Sequence, residues 1–373
     1  MSEVLIATLD AGGNLPPALA LARLLGERGD HVRFLSSPAQ HDAIHRAGHP
    51  VRTYSSAAPV DSRRTGGLPA IAWRQVAAFA DRGAAADVIA EASRVPTDLV
   101  VIDCLMVAAV RDAVATGLPV VSLVHTMWSF FEATVRGPFG LLLRARGVDA
   151  GAALHAPAVK LVTAMPEFER GTAGDGVHRL GALEARDARA AVPVEERPVV
   201  LVSLSTTYLP GQAGAMQRIL DALAPLPVDV VATTGPAIDP GSLRVPANAR
   251  VERSLPHDEV LRRASLVVGH GGHGTTARAL AHGVPVLVLP MNPLIDQPWI
   301  AQAVERTGVG RRLPGRASAA RIRAAAEAIL GDGPERASAR ALGERMRSND
   351  PGAALDRALE AMGVPATPRS RPE

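Results

Sequence analysis

Residues 265–301 read SLVVGHGGHGTTARALAHGVPVLVLPMNPLIDQPWIA. The apolar run Leu266-Val267-Val268 ends in a loop from Gly269 to Thr276, a helical pattern runs from Thr276 to His282, and a second apolar strand covers Pro285 to Pro290. A further loop carries Asp296-Gln297 before the next helix begins. This strand–turn–helix repeat builds parallel α/β sheets. Both polar loops therefore fall at the carboxyl ends of adjacent strands, where open sheets bind ligands. Gly271, Gly272 and Gly274 let the backbone approach a ligand closely. Thr275 and Thr276 open a helix whose free N–H groups and dipole favour an anion, and His270 adds a donor. The loop predicts a cradle for phosphate or diphosphate without a P-loop lysine. Asp296 and Gln297 are suited to accept hydrogen bonds from hydroxyls. A diphosphate beside a polyol is the chemistry of a nucleotide sugar. The plainer reading is a tight glycine turn and an Asp296 helix cap, but the ordered combination favours a site.

Outward from this stretch, the first half begins with Val4–Leu9 as a buried strand, a loop from Asp10 to Asn14, and a helix opened by Pro16-Pro17 and ending near Gly29. Strands follow at 31–36 and 50–54, so the start is doubly wound. It has no GxGxxG, which speaks against a dinucleotide site. Residues 56–70 predict an exposed loop, residues 72–91 one helix, and 98–104 and 119–125 the fourth and fifth strands. Trp73, Phe79, Trp128, Phe130, Phe131 and Phe139 make up six of the eleven aromatic residues. Their grouping suggests an apolar pocket, with ordinary core packing an equal reading. The charged, two-proline segment 184–198 marks a linker, giving domains at 1–190 and 191–350, with a C-terminal helix and polar tail over 351–373. The second half predicts strands at 199–203, 228–233 and 249–252 and helices at 257–263, 318–330, 334–347 and 351–362. A cleft between two such sheets is the expected ligand site.

The organising stretch resembles the donor-binding region of GT-B glycosyltransferases, the nucleotide-sugar enzymes that decorate natural products. The matching residues are Pro256-His257, His270-Gly271-Gly272-His273-Gly274-Thr275-Thr276, Gly283-Val284-Pro285 and Asp296-Gln297. The resemblance runs more weakly through the first half. It implies two Rossmann-like, doubly wound α/β domains facing across a cleft, acceptor side first and nucleotide-sugar side second. It also implies that Ser205 and Thr206, after the 199–203 strand, reach toward the donor diphosphate. Plant members carry a ribose-holding Glu two residues after the last Thr, where this chain has Arg278. That departure points to a bacterial-type enzyme of the macrolide or antibiotic kind, with a dTDP sugar preferred and UDP as the other nucleotide. Many relatives place a His or Asp base three residues before the proline that opens the first helix. Aligned on Pro17, that position is Asn14, and an amide is no useful base. Asp10, Asp103 and His125 end the first, fourth and fifth strands, which are neighbours in a 3-2-1-4-5 sheet. Asp103 matches the aspartate that orients the base in relatives. His125, with an ordinary pKa near ~6.5, is the expected base, held by Asp103 or Asp10 in the manner of a triad.

Composition is consistent with this reading. The 373 residues suffice for two cores. Cys104 is the only cysteine and Lys160 the only lysine. A lone cysteine fits a reducing compartment, and no apolar run reaches the about 18 residues of a membrane span. The N-terminus shows no signal-peptide core, so a cytoplasmic protein is expected. The net charge is +3, and the arginines are scattered, which disfavours nucleic-acid binding. No Asp-x-Asp occurs, so no metal and no cofactor beyond the nucleotide-sugar co-substrate is expected. The acceptor is expected to be a small aglycone held by Trp73, Phe79, Trp128, Phe130 and Phe131, and a homodimer stays open. The function expected is inverting sugar transfer to a largely apolar acceptor. The alternatives are a GT-B epimerase and a non-catalytic helper, which would be expected to lose donor-site residues.

Overall fold

The computed structural model describes residues 1–62, 64–192, 196–331 and 333–364. The chain forms two compact units. One takes residues 1–62, 68–183 and the segment from 350; the other takes 184–349 with the short stretch before Leu68.

The first unit is a sheet of seven parallel strands: β1 (Glu3–Ala7), β2 (His31–Ser36), β3 (Val51–Thr53), β4 (Leu99–Asp103), β5 (Val120–Val124), β6 (Val159–Val162) and β7 (Val177–Arg179). Their spatial order is β3-β2-β1-β4-β5-β6-β7. Its helices are α1 (Leu15–Glu27), α2 (His41–Arg46), α3 (Leu68–Phe79), α4 (Arg82–Arg94), α5 (Val107–Ala115), α6 (Trp128–Arg136), α7 (Pro138–Ala145) and α8 (Ala150–His155). Helices on both faces bury both sides of each central strand, which is why these strands read as unbroken apolar runs. Val4 and Ile6 of β1 join the core under α1, while Leu5 and Ala7 point the other way, into the core under α4 and α5.

The single helix expected over 72–91 is two helices. Asp81 turns to extended backbone and its carboxylate accepts from Gly83 N and Ala84 N, starting α4 afresh. The loop before them is not simply solvated. Asp87 accepts from the backbone N–H groups of Ser55, Ser56 and Ala57 at 2.8, 2.7 and 3.1 Å and from Ser55 Oγ at 2.7 Å. These bonds hold Asp87 below the usual carboxylate range, against the opposing effect of burial.

The second unit has six parallel strands: β8 (Val199–Ser203), β9 (Asp229–Thr233), β10 (Ala249–Glu252), β11 (Ala264–Gly269), β12 (Val286–Val288) and β13 (Gly310–Arg312), ordered β10-β9-β8-β11-β12-β13. Its helices are α9 (Gln212–Leu223), α10 (His257–Leu261), α11 (His273–Ala281), α12 (Gln297–Arg306), α13 (Ala319–Leu330) and α14 (Pro334–Ser348). Sequence periodicity had not separated α7, α8, α9 or the short β13.

The last helix, α15 (Pro351–Glu360), is no appendage to the second unit. Leu355, Ala358 and Leu359 complete the first unit's core beside Leu21 and Leu25. Each buried Leu contributes roughly 1.5–3 kcal/mol. Asp356 binds the guanidinium of buried Arg28, which also meets Asp30 at 3.0 Å. Residues 193–195, which include one linker proline, and the tail from 365 lie outside the described residues.

Candidate functional site

In the second unit the strand order reverses between β8 and β11, and a crevice opens at the carboxyl ends of such neighbours. Gly269, last in β11, pairs with Ser203 of β8 on one side and Val288 of β12 on the other. The loops that follow these strands are therefore forced together. Ser203, His270, Gly271, Gly272, Thr275 and Thr276 line a small recess there. Gly271 has φ +87°, and a Cβ on it would stand 2.8 Å from Val288 Cγ1 and 3.2 Å from the Gln297 carbonyl. A Cβ on Gly272 would stand 2.8 Å from Cε1 and Nε2 of His270. Glycine at 272 is thus what lets the imidazole lie over the start of α11. Thr276 N closes the first turn on Gly272 O at 3.1 Å, so the preceding N–H groups have no carbonyl one turn back.

His270 is buried, its Nδ1 lacks a partner, and burial lowers its pKa to about 4 despite the Ser203 carbonyl. It is a neutral imidazole at physiological pH. It can donate a hydrogen bond without bringing a charge.

The remaining donor-side expectations divide. Ser205 Oγ meets Thr207 Oγ1 at 2.8 Å and accepts from Thr207 N at 3.1 Å, while Thr206 stands exposed. His257 Nε2 lies 3.1 Å from Thr233 Oγ1, which donates to Ser203 Oγ at 3.1 Å. Pro256 only starts α10. Asp296 starts α12 without a side-chain cap bond. Gln297 turns inward: its Oε1 accepts from Met291 N and Asn292 N at 2.8 and 2.9 Å, and the residue is buried. Its carbonyl oxygen shapes the loop and is not turned to a sugar. His273 is buried, with Nδ1 3.5 Å from Glu184 Oε1. Glu184 carries no local sequence signal, because its partner is far along the chain. Burial raises its pKa, but His273 outweighs that and holds it low.

The first unit reverses between β1 and β4. Asp103 ends β4 and is buried. Its Oδ2 accepts from Asn14 Nδ2 at 2.5 Å, and its Oδ1 accepts from Leu105 N at 2.9 Å and lies 3.2 Å from His125 Nε2. Asn14 Nδ2 also reaches Leu9 O at 2.8 Å and Thr8 Oγ1 at 3.0 Å. The three residues form a row, with the carboxylate in the middle. Burial disfavours the His125 imidazolium, but Asp103 and the Cys104 sulfur outweigh it and raise the pKa well above the ordinary value. His125 is therefore not the unshifted histidine that its sequence position suggests. Asp10 does not join the row. Its carboxylate accepts from Ser62 Oγ at 3.1 Å and Ser62 N at 3.4 Å, anchoring the end of the 55–62 loop. Adjacent strands carry the two aspartates, but the loop claims one of them.

The aromatic group is not one pocket wall. Phe79, Trp128 and Phe131 are buried. Phe79 packs edge-on against Phe139 at 5.2 Å and Trp128 against His155 at 6.2 Å, as core residues do. Trp73, at 58% exposure and with Arg146 stacked 4.6 Å from its ring centroid, and half-buried Phe130 stay accessible. Among the described residues no helix is long and apolar enough to cross a membrane.

Residues 217–362 match the family described as erythromycin biosynthesis protein CIII-like, C-terminal domain. The chain is 24% identical over 338 residues to the NDP-glycosyltransferase YjiC of Bacillus subtilis (strain 168), covering 84% of each. It is 38% identical over 150 residues to a PGL/p-HBAD biosynthesis glycosyltransferase of Mycobacterium tuberculosis (strain ATCC 25177 / H37Ra), a match that spans 40% of this chain but only 33% of that protein. Among solved structures, the calicheamicin glycosyltransferase CalG4 superposes with a TM-score of 0.76 at 22% identity, covering 97% and 98% of the two chains. The glycosyltransferase VinC in complex with dTDP gives 0.72 at 19% identity, covering 97% and 99%. The chain shares the two-domain fold of these solved glycosyltransferases, and the relatives it matches in sequence are glycosyltransferases.

Proposed function

We propose that this glycosyltransferase moves a sugar, with inversion, from a nucleoside diphosphate to a hydroxyl of a small, largely apolar natural product. The observation that carries the donor half is neutral His270 lying over Gly272 at the open first turn of α11. Uncharged donors at a helix N-terminus stabilise the charge that builds on a leaving diphosphate. The dTDP bound to VinC favours that nucleotide over UDP, as does Arg278 in place of a ribose-holding carboxylate. Asp296 is the residue we assign to the sugar hydroxyls, and Trp73 and Phe130 to the acceptor.

The acceptor oxygen attacks the anomeric carbon as the bond to the diphosphate breaks, and the electron pair leaves on the phosphate oxygen. The acceptor proton passes to Nδ1 of His125 in its neutral form, whose share grows as pH climbs through the raised pKa, and Asp103 beside Nε2 stabilises the imidazolium that results. Asn14 fixes the far oxygen of Asp103 and so acts as a positioning residue, where many relatives carry the base itself. This assignment uses the pair at 3.2 Å and leaves Asp10 to the loop.

The test is product formation by the native protein with dTDP- and UDP-sugars, with and without acceptor. Turnover of the sugar nucleotide to an isomer without any acceptor would replace transfer by epimerisation. Thermal shift with dTDP and UDP reports the donor independently, since a ligand held only by the folded state raises the melting temperature. No shift with either nucleotide, at concentrations far above those that saturate related sites, would remove the donor assignment.

A further inference from the structure

We propose that Asp103, Cys104 and His125 form a binding site for one soft divalent cation of the Zn2+ type, and that filling it silences the acceptor-side base. The inhibitory consequence rests on the role given to His125 above; the site itself does not. One ligand atom from each residue lies within 4.8 Å of the other two, and His125 Nε2 is already 3.2 Å from Asp103 Oδ1. Zinc bonds of about 2.0–2.3 Å put neighbouring tetrahedral ligands roughly 3.3–3.8 Å apart. The three groups therefore close on a cation by small side-chain rotations, without moving β4 or β5.

Three further features favour a cation there. His125 Nε2 is fully buried and makes no well-aligned hydrogen bond, although two acceptors stand beside it. Asp103 is already oriented by Asn14 Nδ2 on one oxygen and Leu105 N on the other, which is the outer support that metal ligands need. The donor set is a thiolate, an imidazole and a carboxylate. With a dication its charges sum to zero, which suits a buried place. Sulfur and nitrogen donors select Zn2+ or its neighbours over Mg2+. On binding, the Cys104 thiol proton and any proton on His125 leave to solvent, and the fourth position stays open to water. A cation on Nε2 takes the Asp103 carboxylate away from the imidazole and sets a positive charge beside it, so a proton taken at Nδ1 is no longer stabilised.

Co2+ added to the native protein, kept reduced without thiols, should give one equivalent of tetrahedral visible bands with a thiolate-to-cobalt charge-transfer band, all displaced by Zn2+. Cys104→Ser should lose the charge-transfer band. His125→Gln should weaken Co2+ at least about tenfold, the lower limit for even an outer-shell change. Melting temperatures check that both variants fold, and either one suffices for the comparison. Absence of the charge-transfer band in the native protein, or its survival unchanged in Cys104→Ser, overturns the site. Turnover is measured in parallel. Saturating Zn2+ should abolish it and a chelator restore it. If Co2+ binds with the thiolate band while the saturated enzyme turns over normally, the cation site stands and the role of His125 as base falls. If no cation binds but His125→Ala loses turnover, the base stands and the cation site falls.

Discussion

Both sheets reverse their strand order beside the first strand of their unit, between β1 and β4 and between β8 and β11, yet the polar groups gathered there differ in kind. In the second unit the cradle is one contiguous loop whose working parts are glycines, backbone N–H groups and an uncharged imidazole. In the first unit it is a row of side chains, Asn14, Asp103 and His125, drawn from beyond three strands, with a buried carboxylate at its centre. A leaving diphosphate brings its own charge and needs fixed dipoles. An acceptor hydroxyl brings none and needs a proton taken. The two materials suit the two halves of the transfer proposed above.

The sharpest way to break that comparison is to remove a group from each side. His125→Ala should lower turnover at saturating acceptor by about 10²–10⁴-fold, the usual worth of a positioned base, while leaving dTDP and UDP affinity alone. Near-native turnover would transfer the role to Asp10. Next in size is an acid effect specific to the second unit. His270 has its pKa lowered to about 4 in the fold against about 6.5 unfolded. Between those values the unfolded chain binds the extra proton. The contribution is whole above about pH 6.5 and falls away as pH drops toward 4, by roughly 3 kcal/mol in all. Denaturation midpoints from pH 7 to 4 should show this slope, and His270→Gln should flatten it.

Gly272→Ala comes third. Its Cβ would sit 2.8 Å from the imidazole, so the ring must shift. Nucleotide affinity should drop by about 10–100-fold, the range of one charge-assisted hydrogen bond, with little change in folding. An unchanged affinity would mean the ring does not meet the phosphates. Smallest is Asp87→Asn, which removes the carboxylate that collects four donors of residues 55–57. A loss of about 1–2 kcal/mol in stability is expected, read in a urea titration. Hydrogen exchange should rise at 55–58 and stay unchanged in β8 to β13.

What could be read beforehand divides along the same line. The doubly wound sheets and the glycine-rich loop after β11 were legible in the residues alone, because hydrophobic runs and glycine spacing act over neighbouring residues and a contiguous loop carries its geometry with it. Only the tertiary structure decided which carboxylate His125 meets, that Asp10 belongs to Ser62, and that Gln297 faces its own loop. It also decided that His273 pairs with Glu184, and that α15 returns to the first unit's core. Each of these is a competition for partners distant in sequence, settled by burial and hydrogen bonding that no local pattern records. The aromatic residues show the limit most plainly. Their grouping in sequence was real, but burial separated Phe79, Trp128 and Phe131 from exposed Trp73, because a side chain's direction depends on what packs against its helix.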